Sequence, residues 1–387
     1  MKQTRKLYYE DGFCRKFTAT VLECREAAQG WQVILDATAF YPEGGGQGCD
    51  TGFLDSARVL AVREEAEKIL HLCDAPLPVG QTVTGCLDWE DRFDRMQQHT
   101  GEHMVSGLVC SRYRCSNVGF HMGADVIQID FDAPIPAEDL PLIELAANRA
   151  IWDNLPVECF VPSPEELPGV YYRSKRALPW PVRIVRINEV DSCACCGVHT
   201  ATTGQVGIIK LLSCVKFHQG VRMELVCGKR AYDYVRRVCD QNREISQQLS
   251  SKPLETAEAV KRLSKQFADE KFRAAGLQSQ VFLAIAQGYE GRENVLHFAA
   301  DLQPAQLREL AQAIGEVCSG VAVVCAGKDS SYSICMARPG GNIKALGQQL
   351  CGTLSARGGG KDGFFQGSVA ATEEQLRDFF RSAWGNS

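Results

Sequence analysis

No run of about 18 uncharged apolar residues interrupts the 387-residue sequence, which excludes an ordinary membrane-spanning helix. The opening Met1-Lys2-Gln3-Thr4-Arg5-Lys6 leads into Tyr8, Tyr9, Glu10 and Asp11 rather than an apolar signal core, so neither secretion nor insertion is expected. Positive charge is in short supply as well. With 42 Lys and Arg against 47 Asp and Glu the net charge is −5, and the isoelectric point lies near 5.9. Such a balance excludes a protein that coats nucleic acid through charge alone, and a nucleic-acid partner would need local patches. Internal repeats and low-complexity tracts are absent. The glycine run Arg357-Gly358-Gly359-Gly360-Lys361 lacks the spacing and the following Ser or Thr of a Walker A loop.

Cysteine, by contrast, is plentiful. The 18 cysteines are scattered, and some close apolar runs such as Val321-Ala322-Val323-Val324-Cys325, where a free thiol acts as a small hydrophobe. That usage predicts a reducing cytosol and a cytoplasmic protein. The length exceeds one ordinary core, and 45% hydrophobic residues suffice for two or three.

Short β-prone runs alternate with turns from Leu7 to about Leu87, as in Thr18-Ala19-Thr20-Val21-Leu22 and Trp31-Gln32-Val33-Ile34-Leu35, and predict a small antiparallel barrel over residues 1–89. Acids in Asp88-Trp89-Glu90-Asp91 mark a helix start, and the proline-free stretch to about Val109 continues the helix. Strands around Met122-Gly123-Ala124-Asp125, a helix near Ala137 to Asn154, and strands at Val182 to Val190 and Val206 to Val226 complete an α+β unit over 90–230. A charged, glutamine-rich helical connector, broken at Pro253, is expected over 231–278. Strand-like runs alternating with helices near Pro304 to Val317 and Ile343 to Ser355 predict a separate α/β domain over 279–387. The fold class expected is therefore α+β, with an α/β C-terminal domain.

Two clusters carry chemistry. His99 and His103 are four apart in a predicted helix, so both rings leave one face and can meet one ion, with small Ser106 and Gly107 leaving that face open. In Cys193-Ala194-Cys195-Cys196-Gly197-Val198-His199, a thiol and an imidazole four apart share a tight turn and suit Zn²⁺ in tetrahedral geometry. Alone, the first pattern also fits two polar helix positions and the second a buried cysteine-rich loop; together they point to a metal. Cys193, Cys195 and Cys196 all lie within reach, and the Cys193-x-x-Cys196 spacing leaves a redox or separate zinc role open.

Three further segments offer contacts. Phe40-Tyr41-Pro42-Glu43-Gly44-Gly45-Gly46-Gln47-Gly48 joins aromatics to glycines whose backbone can approach a ligand closely, or forms a barrel corner. The cation-flanked Gly359, Gly360 and Lys361 suit phosphate contact, or a plain loop. Tyr171-Tyr172-Arg173-Ser174-Lys175-Arg176 interleaves rings and cations as single-stranded RNA binding requires, or is a solvated loop.

These motifs converge on a family. Leu35-Asp36-Ala37-Thr38-Ala39-Phe40-Tyr41 with Gly44-Gly45-Gly46-Gln47, then Gln98-His99-Thr100-Gly101-Glu102-His103, then Cys195-Cys196-Gly197-Val198-His199 resemble the long form of the alanyl-tRNA editing proteins (AlaX), similar to the editing domain of alanyl-tRNA synthetase. The match continues through Thr203-Gly204-Gln205-Val206-Gly207 and Gly220-Val221-Arg222, and the tail at Gly358-Gly359-Gly360 resembles a DHH-associated domain. Val198 departs from the threonine usual there.

The resemblance implies Zn²⁺ on His99, His103, Cys195 and His199, and as substrate an alanine tRNA wrongly charged with serine or glycine. It implies further that Thr38 contacts the seryl hydroxyl, that Gln47 lines the pocket with Gly45 and Gly46, and that Arg222 belongs to the substrate site. An aminoacyl-tRNA hydrolase results, with tRNA contacts at Arg173, Lys175, Arg176 and the tail, and with a C-terminal domain that helps bind tRNA or forms a homodimer. The rival expectations are a zinc hydrolase of another ester and a non-catalytic RNA-binding protein with structural zinc.

Overall fold

Strict alternation builds the first element. In the strand Lys16–Ala27, Phe17, Ala19 and Val21 are buried while the residues between them reach outward. The first half of this strand pairs antiparallel with Thr82–Leu87 and the second half with Gly30–Leu35. Through Lys68–Cys73, Ala57–Glu65 and Gly52–Leu54 the pairing returns to Thr82–Leu87, so six strands close on themselves. Gly85 is required at the closure, because a Cβ there would lie 2.3 Å from the Phe17 ring.

This computed structural model describes residues 3–174, 178–361 and 363–385. The chain divides into two units, Met1–Glu244 and Ile245–Ser387. The barrel and the α+β segment after it fall within the first unit, and helix Gly228–Gln248 runs across the division.

After the barrel, the helix Trp89–Tyr113 lies with helix Leu140–Trp152 on a four-stranded antiparallel sheet ordered Ile209–Phe217, Gly220–Cys227, Ile127–Phe131, Asn117–Met122. Met104, Val105 and Val109 meet Ile129, Met223 and Leu225 in that core. The expected break near His218 is a tight turn, with His218 itself at φ 51°. A second antiparallel sheet of three strands, Val157–Phe160, Ile184–Ile187 and Asp191–Ala194, carries the cysteine-rich turn at its end.

In the second unit, helix Thr256–Gln287 begins after the break at Pro253 and continues beyond the expected end of the connector. Its early turns are exposed, whereas Phe282 and Ala286 enter an apolar core with Leu307, Leu310 and Ile314, so the helix ends as part of the C-terminal fold. A five-stranded sheet follows in the order Val295–Ala299, Ala322–Lys328, Ser331–Ala337, Phe364–Val369, Arg357–Gly359. Its first two strands are parallel and joined through helix Pro304–Val317; the others are antiparallel. The molecule is thus a mixed α+β protein. Among the described residues no helix is long and apolar enough to cross a membrane.

Candidate metal centre

The helix Trp89–Tyr113 is buried along most of its length, which its sequence allows by placing glycine at two close approaches. A Cβ at Gly101 would sit 2.2 Å from Cys227 Sγ, and one at Gly107 would sit 2.2 Å from the Val190 carbonyl. Of the two small residues expected to leave that face open, Gly107 lines the cleft while admitting the turn before Asp191, whereas Ser106 is buried and its Oγ donates to Glu102 at 2.6 Å. His99 and His103, each 3% exposed, project from this helix one turn apart.

The turn after strand Asp191–Ala194 supplies the other half. Gly197 lies where a Cβ would come 2.1 Å from His99 Cε1, so only glycine lets the turn close on the helix. Cys195 Sγ lies 3.5 Å from His99 Nε2 and 3.4 Å from His199 Nε2. The donor atoms of His99, His103, Cys195 and His199 all lie within 4.8 Å of one another. Tetrahedral Zn²⁺ with bonds of about 2.0 to 2.3 Å holds its donors roughly 3.5 Å apart, which the separations of Cys195 from His99 and His199 match. Cys193 and Cys196 are placed differently: Cys193 Sγ donates toward the Ala194 carbonyl at 3.6 Å, and Cys196 is exposed.

Each imidazole uses its other nitrogen for a protein partner. His99 Nδ1 meets Gln47 Oε1 at 2.8 Å, His103 Nδ1 meets Asp191 Oδ2 at 2.9 Å, and His199 Nδ1 meets Thr100 Oγ1 at 3.3 Å. Because a carboxylate and an amide oxygen only accept, His103 and His99 each donate from Nδ1, which turns Nε2 inward toward the other donors. Asp191 is in turn held by Arg173, whose Nε and guanidinium NH2 reach it at 2.7 and 2.9 Å. We expect Asp191→Asn to weaken Zn²⁺ affinity by about 10- to 100-fold, read by competition with a chromogenic chelator, with the fold intact.

Electrostatics favour a ligating state. Burial by itself would push the Cys195 thiol up, but His99, His103 and His199 around it outweigh that and hold it well below the ordinary thiol value. His199 is pushed down to about 3 by burial and by its neighbour His99, which keeps it neutral. His103 is drawn well above its usual value, since Cys195 and Asp191 overcome the effect of burial. The cluster therefore holds a thiolate beside a protonated His103, and a soft divalent cation bound there would displace that proton.

The remaining residues singled out in the sequence divide sharply. Gly45 lines a cleft of about 1150 Å³ that also exposes His99, His103 and Cys195. Gly46, at φ 86°, makes room for Phe120, which stacks on His99 at 5.2 Å between ring centres. Gln47 is 1% exposed and acts on His99 rather than facing the cleft.

Thr38 does not line the cleft and is fully buried; its hydroxyl is committed to His71 Nε2 at 2.8 Å and accepts from the Phe40 amide at 3.1 Å. This arrangement corrects the expectation of a direct contact with a seryl hydroxyl. Arg222 is likewise away from the cleft, pairing with Asp130 at 2.7 Å and lying 3.8 Å over the Phe217 ring. Arg173 serves Asp191 instead of standing free for RNA. Gly359 ends the edge strand Arg357–Gly359, and Gly360 follows it close against the Phe364 carbonyl, where a Cβ would not fit, with Lys361 next. Lys175 and Arg176 lie outside the described residues.

Burial pushes His71 down to about 4. Its Nδ1–H then donates to the Val33 carbonyl and Nε2 accepts from Thr38. The unfolded chain binds a proton near 6.5 that the folded chain resists until about 4, so stability is complete above 6.5 and falls as the pH drops through that window. Urea titrations from neutral to acid pH should show the wild type losing about 3 kcal/mol more than His71→Gln.

Sequence reasoning missed Glu102 and Asn117 in the cleft lining, Thr100 behind His199, and the buried Arg92–Asp50 pair.

Comparisons with known proteins bear on the same regions. The family described as tRNA synthetases class II (A) matches residues 3–91, and the threonyl and alanyl tRNA synthetase second additional domain matches residues 182–229. The chain is 28% identical to the alanyl-tRNA editing protein Aarsd1 of Mus musculus, covering 94% of this chain and 93% of that protein. It is 34% identical to the alanyl-tRNA editing protein AlaX-L of Pyrococcus horikoshii over 58% of each chain. Against an alanine–tRNA ligase of Ignicoccus hospitalis it is 29% identical over 92% of this chain, and it spans only 40% of that enzyme. The second family match spans the strands on either side of the cysteine-rich turn, and the Mus musculus editing protein is matched over nearly its whole length. On these matches the chain is similar to the alanyl-tRNA editing proteins of the AlaX type.

Proposed function

We propose that this protein is a zinc-dependent hydrolase that cleaves the aminoacyl ester of alanine tRNA mischarged with serine or glycine. The observation that carries the reading is the four-donor cluster of His99, His103, Cys195 and His199, exposed to a large cleft in a chain that resembles alanyl-tRNA editing proteins. Zinc held there supplies a Lewis acid for the ester carbonyl and lowers the pKa of water. The chain's own part is positional. Gln47, Asp191 and Thr100 fix the three rings, and Phe120 stacks behind His99. His99, His103, Cys195 and His199 would together close an ordinary tetrahedral shell, so a metal held there would act on the ester through a further position, through displacement of one of the four, or by orienting the substrate.

The cleft is wide enough for the terminal aminoacyl-adenosine of a tRNA, and the net charge of −5 directs tRNA contact to local cationic surface rather than to the whole molecule. Lys175, Arg176 and Lys361 are the cations we assign to that contact, and self-association through the C-terminal unit is the assembly we infer. All eighteen cysteines are free thiols, as a reducing, cytoplasmic compartment would keep them.

Deacylation of seryl-, glycyl- and alanyl-tRNA by the zinc-loaded protein tests the reading. We expect hydrolysis of one or both mischarged species with the correct one spared. Failure to cleave either would refute it, and equal cleavage of a simple ester without tRNA would favour the other hydrolase.

A further inference from the structure

Beside the metal centre, the cleft holds a buried polar cluster that the hydrolysis described above does not use. Glu102 is 4% exposed, and both of its hydrogen bonds fall on one oxygen: Oε1 accepts from Ser106 Oγ at 2.6 Å and from Asn117 Nδ2 at 2.7 Å. The second oxygen, Oε2, accepts no hydrogen bond among the described residues and lies 3.9 Å from His103 Nε2. Asn117 is buried too. Its Nδ2 also reaches Ser106 Oγ at 3.0 Å, and since a carboxylate can only accept, this fixes the amide orientation and leaves Oδ1 buried without a partner. Both residues line the cleft.

Unmet acceptors in a buried site are costly, and a carboxylate most of all, so the arrangement is complementary to a ligand that brings donors and positive charge. Asp191, the other acidic group against the cluster, is already satisfied by His103 and Arg173. A primary ammonium offers three donors on one cation. We infer that Glu102 Oε2, supported by the Asn117 amide, receives the α-ammonium of the aminoacyl ester and so restricts the site to esters with an unblocked amino group. The inference rests on the aminoacyl-ester reading. It predicts that N-acylated chains, peptidyl-tRNA among them, are spared.

The test compares seryl-tRNA with its isosteric hydroxyacyl ester, in which a hydroxyl replaces the ammonium, on wild type and Glu102→Gln, with zinc content measured for both. Removing the ammonium should lower wild-type kcat/KM by roughly 10- to 100-fold. Glu102→Gln should lose a similar factor on seryl-tRNA and none further on the hydroxyacyl ester. A wild type indifferent to the ammonium overturns the inference, as does a Glu102→Gln protein that keeps the preference or loses equally on both esters. A second arm uses calorimetry on the metal-free protein with amide-linked seryl-adenosine and its hydroxyl analogue. Wild type should bind the ammonium form more tightly by the same factor, and Glu102→Gln should bind both alike. If wild type cleaved neither ester, the proposed function would fail, while the calorimetric arm would still decide the role of Glu102.

Discussion

Replacing Cys195 by alanine should yield a folded protein that holds no stoichiometric zinc and deacylates mischarged tRNA at least about a thousandfold more slowly. The thiol sits between His99 and His199 at 3.5 and 3.4 Å and is the sole sulfur in the four-donor group. Its removal leaves three imidazoles, two of which no longer face a counter-charge. The same measurement separates it from its neighbours: Cys193→Ala and Cys196→Ala should keep both metal and rate, because neither thiol belongs to that group. Metal analysis with circular dichroism as the fold control checks all three. Zinc retained by Cys195→Ala and lost from Cys193→Ala would instead place the ion on the second group, His103, Asp191 and Cys193.

The largest effect on stability is expected from Arg92→Met, about 3 to 5 kcal/mol. Arg92 is the bulkiest of the fully buried side chains, and it joins two parts of the first unit. Its Nε reaches Asp50 at 2.9 Å, a second nitrogen also pairs with Asp50, and the remaining donors go to the Gly12 and Ala39 carbonyls. Asp50 accepts the Tyr41 amide as well, at 2.6 Å. Removing the guanidinium strands a carboxylate in a site from which water is excluded, and that penalty exceeds the loss of any one bond. Replacing both partners with apolar side chains should cost less than Arg92→Met alone. Urea unfolding of the single and double variants gives the comparison. A loss below 1 kcal/mol in Arg92→Met would show that the pair is solvated.

Much of the local structure was legible because it depends on short-range rules. Alternation predicted Lys16–Ala27 and Gly30–Leu35, and Pro253 predicted the break between two helices. The helices Pro304–Val317 and Lys344–Leu354 lie almost where their periodicity placed them. The connector was expected to stop at 278 with strand-like structure from Val281, yet helix Thr256–Gln287 runs on through that apolar stretch and packs Phe282 and Ala286 into a core whose other half comes from helix Pro304–Val317. A composition average does not see a partner that distant in sequence.

The site divides along the same line. The sequence by itself offered the donors, His99 and His103 one helical turn apart and His199 beside three thiols, among which the family resemblance preferred Cys195. Only the tertiary structure decided which sulfur faces inward and which residues hold the rings: Gln47 comes from 52 positions before its histidine and Asp191 from 88 after. It also placed Thr38 and Arg222 away from the cleft, on partners His71 and Asp130, and tied Arg173, which lines the cleft, to Asp191. A motif specifies what a side chain can bind, but burial and the nearest opposite charge determine what it does bind.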